Sequence, residues 1–154
     1  GKPFTYSLKQ ALAKGPVVVY FYPSAFTDGC NIQAHDFSVT YEQFVAAGAS
    51  VVGVSLDSIE RLNAFSADPD YCAGKLAVAS DGDGSIARAF GLKVVQAQRG
   101  ITDTRGKEIE HGFTERTTFV VKRDGTIAAS VGGVSPEANV VKALELVRGL
   151  APPR

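Results

Sequence analysis

The sequence predicts an α/β fold, a mixed β-sheet with helices on both faces, and three observations lead to this prediction. Residues 17–22 and 50–56 are apolar runs without polar alternation, which is typical of strands buried on both faces. An amphipathic helical pattern follows each run, as in parallel strand–helix–strand units. Residues 117–122 and 126–131 flank a tight turn and predict a hairpin, so the sheet also needs antiparallel strands.

Turn and capping residues predict the other elements in order. Asp57, with Glu60 three residues later, is expected to cap one helix, and Ser135 followed by Pro136 to begin the last. The polar stretch 93–112 indicates a long exposed loop, with a minor strand as a further option. The remaining predictions are strands over residues 4–8 and 76–79 and helices over residues 9–14, 30–47, 57 to about 68, 85–90 and 135–149.

The chain is expected to form one domain over residues 1–154. Its length and mass of 16.2 kDa suit one hydrophobic core, and sixteen basic and sixteen acidic side chains cancel, which argues against a nucleic acid or a membrane surface as partner. No apolar run reaches bilayer length. Since the sequence contains no methionine, we expect Gly1 to be a processed or truncated beginning, from which an export signal can have been removed. We expect a cytoplasmic or periplasmic protein, with the cytoplasm slightly favoured.

The stretch after the first buried strand places a cysteine at the start of a helix. Pro23 cannot donate to a strand ladder, and the turn chemistry of residues 27–29 leads into a helical pattern at about Cys30. Unpaired N–H groups and the helix dipole favour an anion in a first turn, so we expect the Cys30 thiol to be reactive as a thiolate. The alternative is that Cys30 packs as a small hydrophobe. Its place beside the carboxyl edge of the sheet favours a chemical role.

Pro23, Thr27 and Cys30 form the pattern P-x-x-x-T-x-x-C, and here the chain resembles the peroxiredoxins of the AhpC/TSA superfamily, most closely the bacterioferritin-comigratory or Q-type branch. Four blocks carry the resemblance in family order: YFYPSAFTDGC, VVGVSLDS, SDGDGSIARAFG and RTTFVVKRDGTI. The resemblance implies a thioredoxin-like fold and a thiol peroxidase that uses no cofactor or metal. It also implies that Cys30 is the peroxidatic cysteine and that Pro23 shields it from water. Thr27 and Arg116 would hold the peroxide oxygens.

The residue types suit this chemistry by themselves. A thiolate that attacks a peroxide leaves negative charge on the departing oxygen, which the guanidinium of Arg116 and the hydroxyl of Thr27 can stabilise. Each has a plainer interpretation, Thr27 as a helix cap and Arg116 as a solvated or surface-paired side chain. Gln33 stands where the family often has a glutamate that tethers the arginine, and it can accept a hydrogen bond but brings no charge. His35 stands where many Q-type members carry a second cysteine, and we expect a structural or surface role for it.

Cys72 is the only other cysteine of the chain. Some Q-type members have a distal cysteine in this region, so the resemblance implies that Cys72 reduces the Cys30 sulfenic acid by closing an intramolecular disulfide. Thioredoxin or a glutaredoxin-like donor would recycle the enzyme, which we expect to be a monomer or weak dimer. One alternative is a one-cysteine peroxidase in which Cys72 is inert. Another is a thioredoxin-like metal carrier that uses Cys30 with His35 or His111.

Two further stretches have simple interpretations. Residues 81–84, Asp-Gly-Asp-Gly, resemble a calcium loop but lack its other carboxylates, so we predict a turn and a helix cap. His111 is predicted to be a solvated loop residue. No phosphate-binding, zinc-protease or serine-hydrolase motif offers a competing function.

Overall fold

Within residues 6–96 and 99–150, which the computed structural model describes, the chain forms seven strands and five helices. The strands are β1 (Val17–Phe21), β2 (Ser50–Ser55), β3 (Ala77–Ser80), β4 (Val94–Val95), β5 (Phe113–Thr114), β6 (Thr117–Val121) and β7 (Ile127–Gly132). The helices are α1 (Leu8–Lys14), α2 (Asp28–Ala46), α3 (Ile59–Ala67), α4 (Ser85–Ala89) and α5 (Pro136–Gly149).

Five of the strands form a mixed sheet, as predicted, and their order in the sheet is β3-β2-β1-β6-β7. β1 is parallel to β2 and β2 is parallel to β3, while β6 is antiparallel to β1 and β7. All five residues of β1 are buried, which agrees with the lack of polar alternation in the sequence. Because β1 is the central strand, the segment that follows it begins at the middle of the sheet's edge.

Helices cover both faces of the sheet, which confirms the predicted arrangement. On one face, side chains of α2, α3 and α5 pack with Val18 and Tyr20 of β1. On the other face, side chains of α1 and α4 pack with Val17, Val19 and Phe21. Among residues 6–96 and 99–150, no helix has the length and apolar character needed to cross a membrane.

The predicted strand over residues 4–8 is wrong where the structure describes it, since α1 begins at Leu8; residues 4 and 5 lie outside the described part. The hydroxyl of Ser7 accepts a hydrogen bond from the backbone N–H of Gln10 at 3.2 Å and caps this helix. The capping serine therefore outweighs the short alternating pattern that suggested a strand.

The start of α3 also differs from the prediction. Ser58, and not Asp57, is the cap, because its hydroxyl accepts the backbone N–H of Arg61 at 3.2 Å. Asp57 is fully buried, and its carboxylate binds groups from other parts of the chain. The predicted turn and cap over residues 81–84 is confirmed, since Asp81 accepts two backbone N–H bonds from the first turn of α4.

The polar stretch over residues 93–112 is mostly loop in its described residues, as predicted. It contains β4, which pairs with β5, and an isolated bridge between Thr102 and Glu108. It is less exposed than the sequence suggests, because Asp103 and Ile109 are buried. The loop therefore packs onto the body of the protein, near the segment that follows β1.

Candidate active site

Cys30 lies in the first turn of α2, as the sequence predicts. Pro23 follows β1 and supplies no N–H for a further ladder bond, and α2 begins at Asp28 with Thr27 in the N-cap position. The backbone N–H of Asn31 donates to the carbonyl of Thr27 at 2.7 Å, which closes this first turn. Cys30 is only 1% exposed, so a small local displacement must open a path for a substrate to the sulfur.

The guanidinium of Arg116 lies against this cysteine. One terminal nitrogen donates to Sγ of Cys30 at 3.4 Å, and the other donates to Oε1 of Gln33 at 2.6 Å. Gln33 is fully buried on the same face of α2 as Cys30, so the tether that the sequence allowed for is present. The plainer interpretation of Arg116 as a solvated side chain is wrong. A permanent positive charge therefore adjoins the sulfur.

Gly29 makes this close approach possible. A Cβ atom at Gly29 would lie 2.8 Å from a terminal nitrogen of Arg116 and 3.3 Å from Cγ of Pro136. Any side chain at this position would push the guanidinium away from the sulfur. The lack of a side chain at Gly29 thus allows the contact between Arg116 and Cys30, a role that the sequence alone did not suggest.

Thr27 occupies the N-cap position of α2, as the plainer interpretation has it, but its side chain makes no capping bond. Its hydroxyl donates to the carbonyl of Ser24 at 2.7 Å instead. Because this one proton is committed, the hydroxyl oxygen keeps lone pairs that can accept a hydrogen bond from another molecule. The roles of Thr27 and of the half-buried Pro23 toward a substrate stay predictions.

Cys72 lies in the turn after α3 and is fully buried. Burial, followed by the negative charge of Asp68, raises the pKa of its thiol to about 12. Cys30 and Cys72 are both free thiols and belong to the same apolar cluster. His35 is exposed, as predicted, and its Nδ1 lies 3.1 Å from the carbonyl of Asp70 in this turn. As packed, Cys72 is a neutral thiol without solvent access.

The prediction that His111 is a solvated loop residue is wrong. Its side chain is 14% exposed, and its Nε2 lies 2.7 Å from Oδ1 of Asp57. Burial alone would lower the pKa of His111, but the hydrogen bond to Asp57 and the charge of Asp57 raise it above the usual 6.5. Burial alone would raise the pKa of Asp57, but the hydrogen bond and charge of His111, with two further hydrogen bonds, lower it to about 2. The two side chains form an ion pair below the raised pKa of His111.

Arg61, Asp103 and Arg105 extend this pair into a cluster that sequence reasoning missed. Arg61 donates to Asp57 at 2.8 Å and to Asp103 at 2.9 Å, and Arg105 donates to Asp103 at 3.1 Å. Burial would raise the pKa of Asp103, but hydrogen bonds from two backbone N–H groups and both arginines lower it to about 2. One signal could have suggested the cluster: Asp57 comes two residues after the end of β2, at the same edge of the sheet as the segment after β1.

A central strand that leads into a helix-start cysteine, faced by an arginine, defines a thioredoxin-like thiol enzyme, and comparisons with known proteins agree. The crystal structure of peroxidoxin BcpB from Mycobacterium tuberculosis is 32% identical, with a TM-score of 0.76 over 94% of this chain and 86% of that chain. The structure of peroxiredoxin Q from Xanthomonas campestris is 28% identical, with a TM-score of 0.74 over 93% of this chain and 84% of that chain.

The model of the AhpC/TSA family matches residues 2–130. Peroxiredoxin Bcp from Xanthomonas campestris is 32% identical over 111 residues, which are 72% of this chain and 62% of that protein. Structures of the bacterioferritin comigratory protein of the same organism concern its alkyl peroxide reduction activity. This chain belongs to the AhpC/TSA family and is a peroxiredoxin of the bacterioferritin-comigratory or Q-type branch. It is a thiol peroxidase, which takes a peroxide as substrate and needs a thiol reductant.

Proposed function

We propose that Cys30 is the peroxidatic cysteine and that the enzyme reduces hydrogen peroxide and organic hydroperoxides. The observation that carries this proposal is the 3.4 Å contact between Arg116 and the Cys30 sulfur in the first turn of α2. The thiolate attacks one peroxide oxygen, so a sulfur–oxygen bond forms as the oxygen–oxygen bond breaks. Arg116 stabilises the charge on the departing oxygen, which takes up a proton and leaves as water or an alcohol.

Thr27 and Pro23 complete the proposed peroxide site. The oxygen of Thr27, whose own proton goes to Ser24, is free to accept the O–H of a hydroperoxide and so to orient it. Pro23 has no N–H to bind water, and its ring adds apolar surface to the segment after β1. The relative from Xanthomonas campestris that reduces alkyl peroxides supports including organic hydroperoxides among the substrates.

Cys72 is the proposed resolving cysteine. Its thiol condenses with the Cys30 sulfenic acid, which forms the disulfide and releases water. Such a bond needs the two Cα atoms within roughly 7 Å, and the attacking thiol must lose its proton. Because burial holds the pKa of Cys72 at about 12, the turn that carries it must open before resolution. Ala73 in this turn has a φ of 54°, a left-handed conformation that costs an alanine roughly 1 kcal/mol and favours opening.

The cycle closes when a dithiol reductant exchanges with the disulfide and restores both thiols. Thioredoxin or a glutaredoxin-like protein fits this step, since each supplies the two electrons as a pair of thiols. We propose that the enzyme acts as a monomer or weak dimer in this cycle.

A one-cysteine mechanism is the second candidate. It is favoured by the complete burial of Cys72 and by its neutral thiol, both of which are usual for an inert packed cysteine. In that mechanism an external thiol reduces the Cys30 sulfenic acid directly. The metal-carrier alternative finds no support in the described residues, where no group of three or more His, Cys, Asp and Glu side chains could hold a metal ion.

Mass spectrometry of the unreduced protein after one equivalent of hydrogen peroxide separates the two mechanisms. We expect the parent to lose two hydrogens and to yield a peptide crosslinked between Cys30 and Cys72. The Cys72→Ser variant should stop at a sulfenic acid on Cys30, since it lacks the resolving thiol.

A stable oxyacid on Cys30 in the parent would favour the one-cysteine mechanism. Oxidation of Cys72 with Cys30 unchanged would contradict the assignment of the peroxidatic cysteine in both mechanisms.

A further inference from the structure

Both ring nitrogens of His111 face hydrogen-bond acceptors. Nε2 lies 2.7 Å from a carboxylate oxygen of Asp57, and Nδ1 lies 2.7 Å from the carbonyl oxygen of Gly112. Neither acceptor can donate a proton in return when Asp57 is ionised. A neutral imidazole, with one N–H, would place a lone pair against one of these oxygens. The imidazolium donates to both oxygens at once, so the geometry favours a cation at His111.

The imidazolium belongs to a charged cluster, composed of Asp57, Arg61, Asp103, Arg105 and His111. The carboxylates of Asp57 and Asp103 are fully buried, while the three cations are partly covered. The cluster joins the start of α3 to the polar loop, and the bonded pairs Arg61–Asp103 and Asp57–His111 are 42 and 54 residues apart in the sequence. Removal of one charge leaves a buried opposite charge without its partner, and this is costly in a low-dielectric interior.

The charged cluster forms hydrogen bonds with the backbone of the segment between β1 and α2. The N–H of Ala25 donates to Asp57 at 2.8 Å, and its carbonyl accepts from Arg61 at 2.9 Å. The next residue, Phe26, has a φ of 59°, which is unfavourable for a residue with a side chain and needs outside support. That support is visible, since the Arg105 guanidinium lies 3.6 Å from the centre of the Phe26 ring.

We propose that His111, as an imidazolium bonded to Asp57, is a positioning residue for the reaction at Cys30. It holds residues 24–27 in the conformation that places the Thr27 hydroxyl and begins α2. Ser24 connects His111 to Thr27. Its carbonyl accepts a hydrogen bond from Thr27 at 2.7 Å, and its hydroxyl lies 3.2 Å from Nε2 of His111. The inference rests on the proposed function of Cys30. It adds His111, which acts on the reaction through residues 24–27.

Loss of the His111 proton breaks one of the two hydrogen bonds of the ring and loosens residues 24–27. The groups that face His111 are the carboxylate of Asp57 and, one contact further, Arg61; Asp103 and Arg105 lie behind Arg61. Asp57 raises the pKa of His111 and Arg61 lowers it, with the net shift upward from 6.5. Residues 24–27 are therefore held in place in weakly acidic solution and are released as the pH rises through the raised pKa of His111.

Two measurements on the whole protein test this inference. Nitrogen NMR of the imidazole rings reports whether both nitrogens of His111 carry protons, and gives the midpoint at which one is lost. Rapid-quench mass spectrometry gives the rate constant for oxidation of Cys30 by hydrogen peroxide in the parent and in His111→Gln. The glutamine amide can donate to Asp57 and does not titrate. The ratio of the two rate constants removes any effect of pH that the parent and the variant share.

We expect an imidazolium below the midpoint, and a ratio of parent to His111→Gln that falls by about tenfold as the pH passes it. The matched control is His35→Gln, which removes the other histidine of the chain. The ratio of its rate constant to that of His111→Gln should fall with pH in the same way as the ratio for the parent. A neutral ring at weakly acidic pH, or a ratio that stays flat across the midpoint, overturns the positioning role while peroxidase activity stands. If peroxide does not oxidise Cys30 in the parent at any pH, the proposed function fails and the positioning role with it.

Discussion

Replacement of Arg116 by methionine should lower the rate constant for oxidation of Cys30 by hydrogen peroxide by roughly a hundredfold or more. The guanidinium donates to the Cys30 sulfur at 3.4 Å and carries a positive charge. Methionine fills similar space without charge or donors, so the departing oxygen loses its stabilising partner. The rate constant is measured by rapid-quench mass spectrometry in the first turnover, before any reductant is needed.

Two further variants make the Arg116→Met result specific. Arg116→Lys keeps the charge but loses the forked donors that reach Cys30 and Gln33 together, so we expect an intermediate rate. Arg123→Met removes an exposed arginine beyond the other end of β6 and should leave the rate unchanged. A rate for Arg116→Met within about threefold of the parent would contradict a direct role for this arginine, since loss of one such donor usually costs far more.

The Asp57→Ala variant should unfold more easily than the parent, with a free energy of unfolding lower by about 3 kcal/mol. Asp57 is fully buried and accepts hydrogen bonds from Arg61 and His111 at 2.8 and 2.7 Å. Its loss leaves these cations close together without a counter-charge, and also leaves the backbone N–H of Ala25 without its acceptor. Urea titration followed by circular dichroism gives the difference.

The contribution of Asp57 and His111 to stability also depends on pH in a direction that can be stated. The pKa of Asp57 is lowered from 3.8 to about 2, so its contribution is present above 3.8 and is lost as the pH falls toward 2. The pKa of His111 is raised from 6.5, so its contribution is full below 6.5 and is lost as the pH rises through the raised value. The loss of free energy of unfolding in Asp57→Ala should therefore be largest between pH 3.8 and pH 6.5.

Asp124→Ala is the matched control for Asp57→Ala. Asp124 is exposed in the turn between β6 and β7, and within the described part of the chain its carboxylate accepts side-chain and backbone bonds from Thr126 alone. We expect its replacement to change the free energy of unfolding by less than about 1 kcal/mol. If Asp57→Ala were no less stable than Asp124→Ala, the buried cluster would have no part in stability.

The position of Cys30 could be predicted from the sequence because the signals that fix it are local. A buried run, a proline that ends it and a threonine in the N-cap position stand within fourteen residues of one another, and each acts on its own stretch of backbone. The mixed sheet followed for the same reason, from buried runs and a hairpin turn. The contact of Arg116 with Cys30 joins residues 86 positions apart, and the resemblance of blocks, not periodicity, suggested it.

The charged cluster could not be predicted, because nothing local distinguishes a buried carboxylate from a capping one. Asp57 and Glu60 fit a capping pattern, yet Ser58 caps α3 and Asp57 bonds to His111, which is 54 residues away. A polar loop usually predicts exposure, and His111 was assigned accordingly. Its burial depends on how the loop packs against residues 24–26, which is a property of the fold and not of the segment.

The measurement that tests the central claim most directly is hydrogen peroxide consumption by Cys30→Ser and by the parent, each with an excess of a small dithiol. If the sulfur of Cys30 is the attacking atom, the variant will consume peroxide no faster than the dithiol alone, while the parent turns over. If Cys30→Ser consumes peroxide as fast as the parent, the chemistry takes place elsewhere in the protein and Cys30 is not the peroxidatic cysteine.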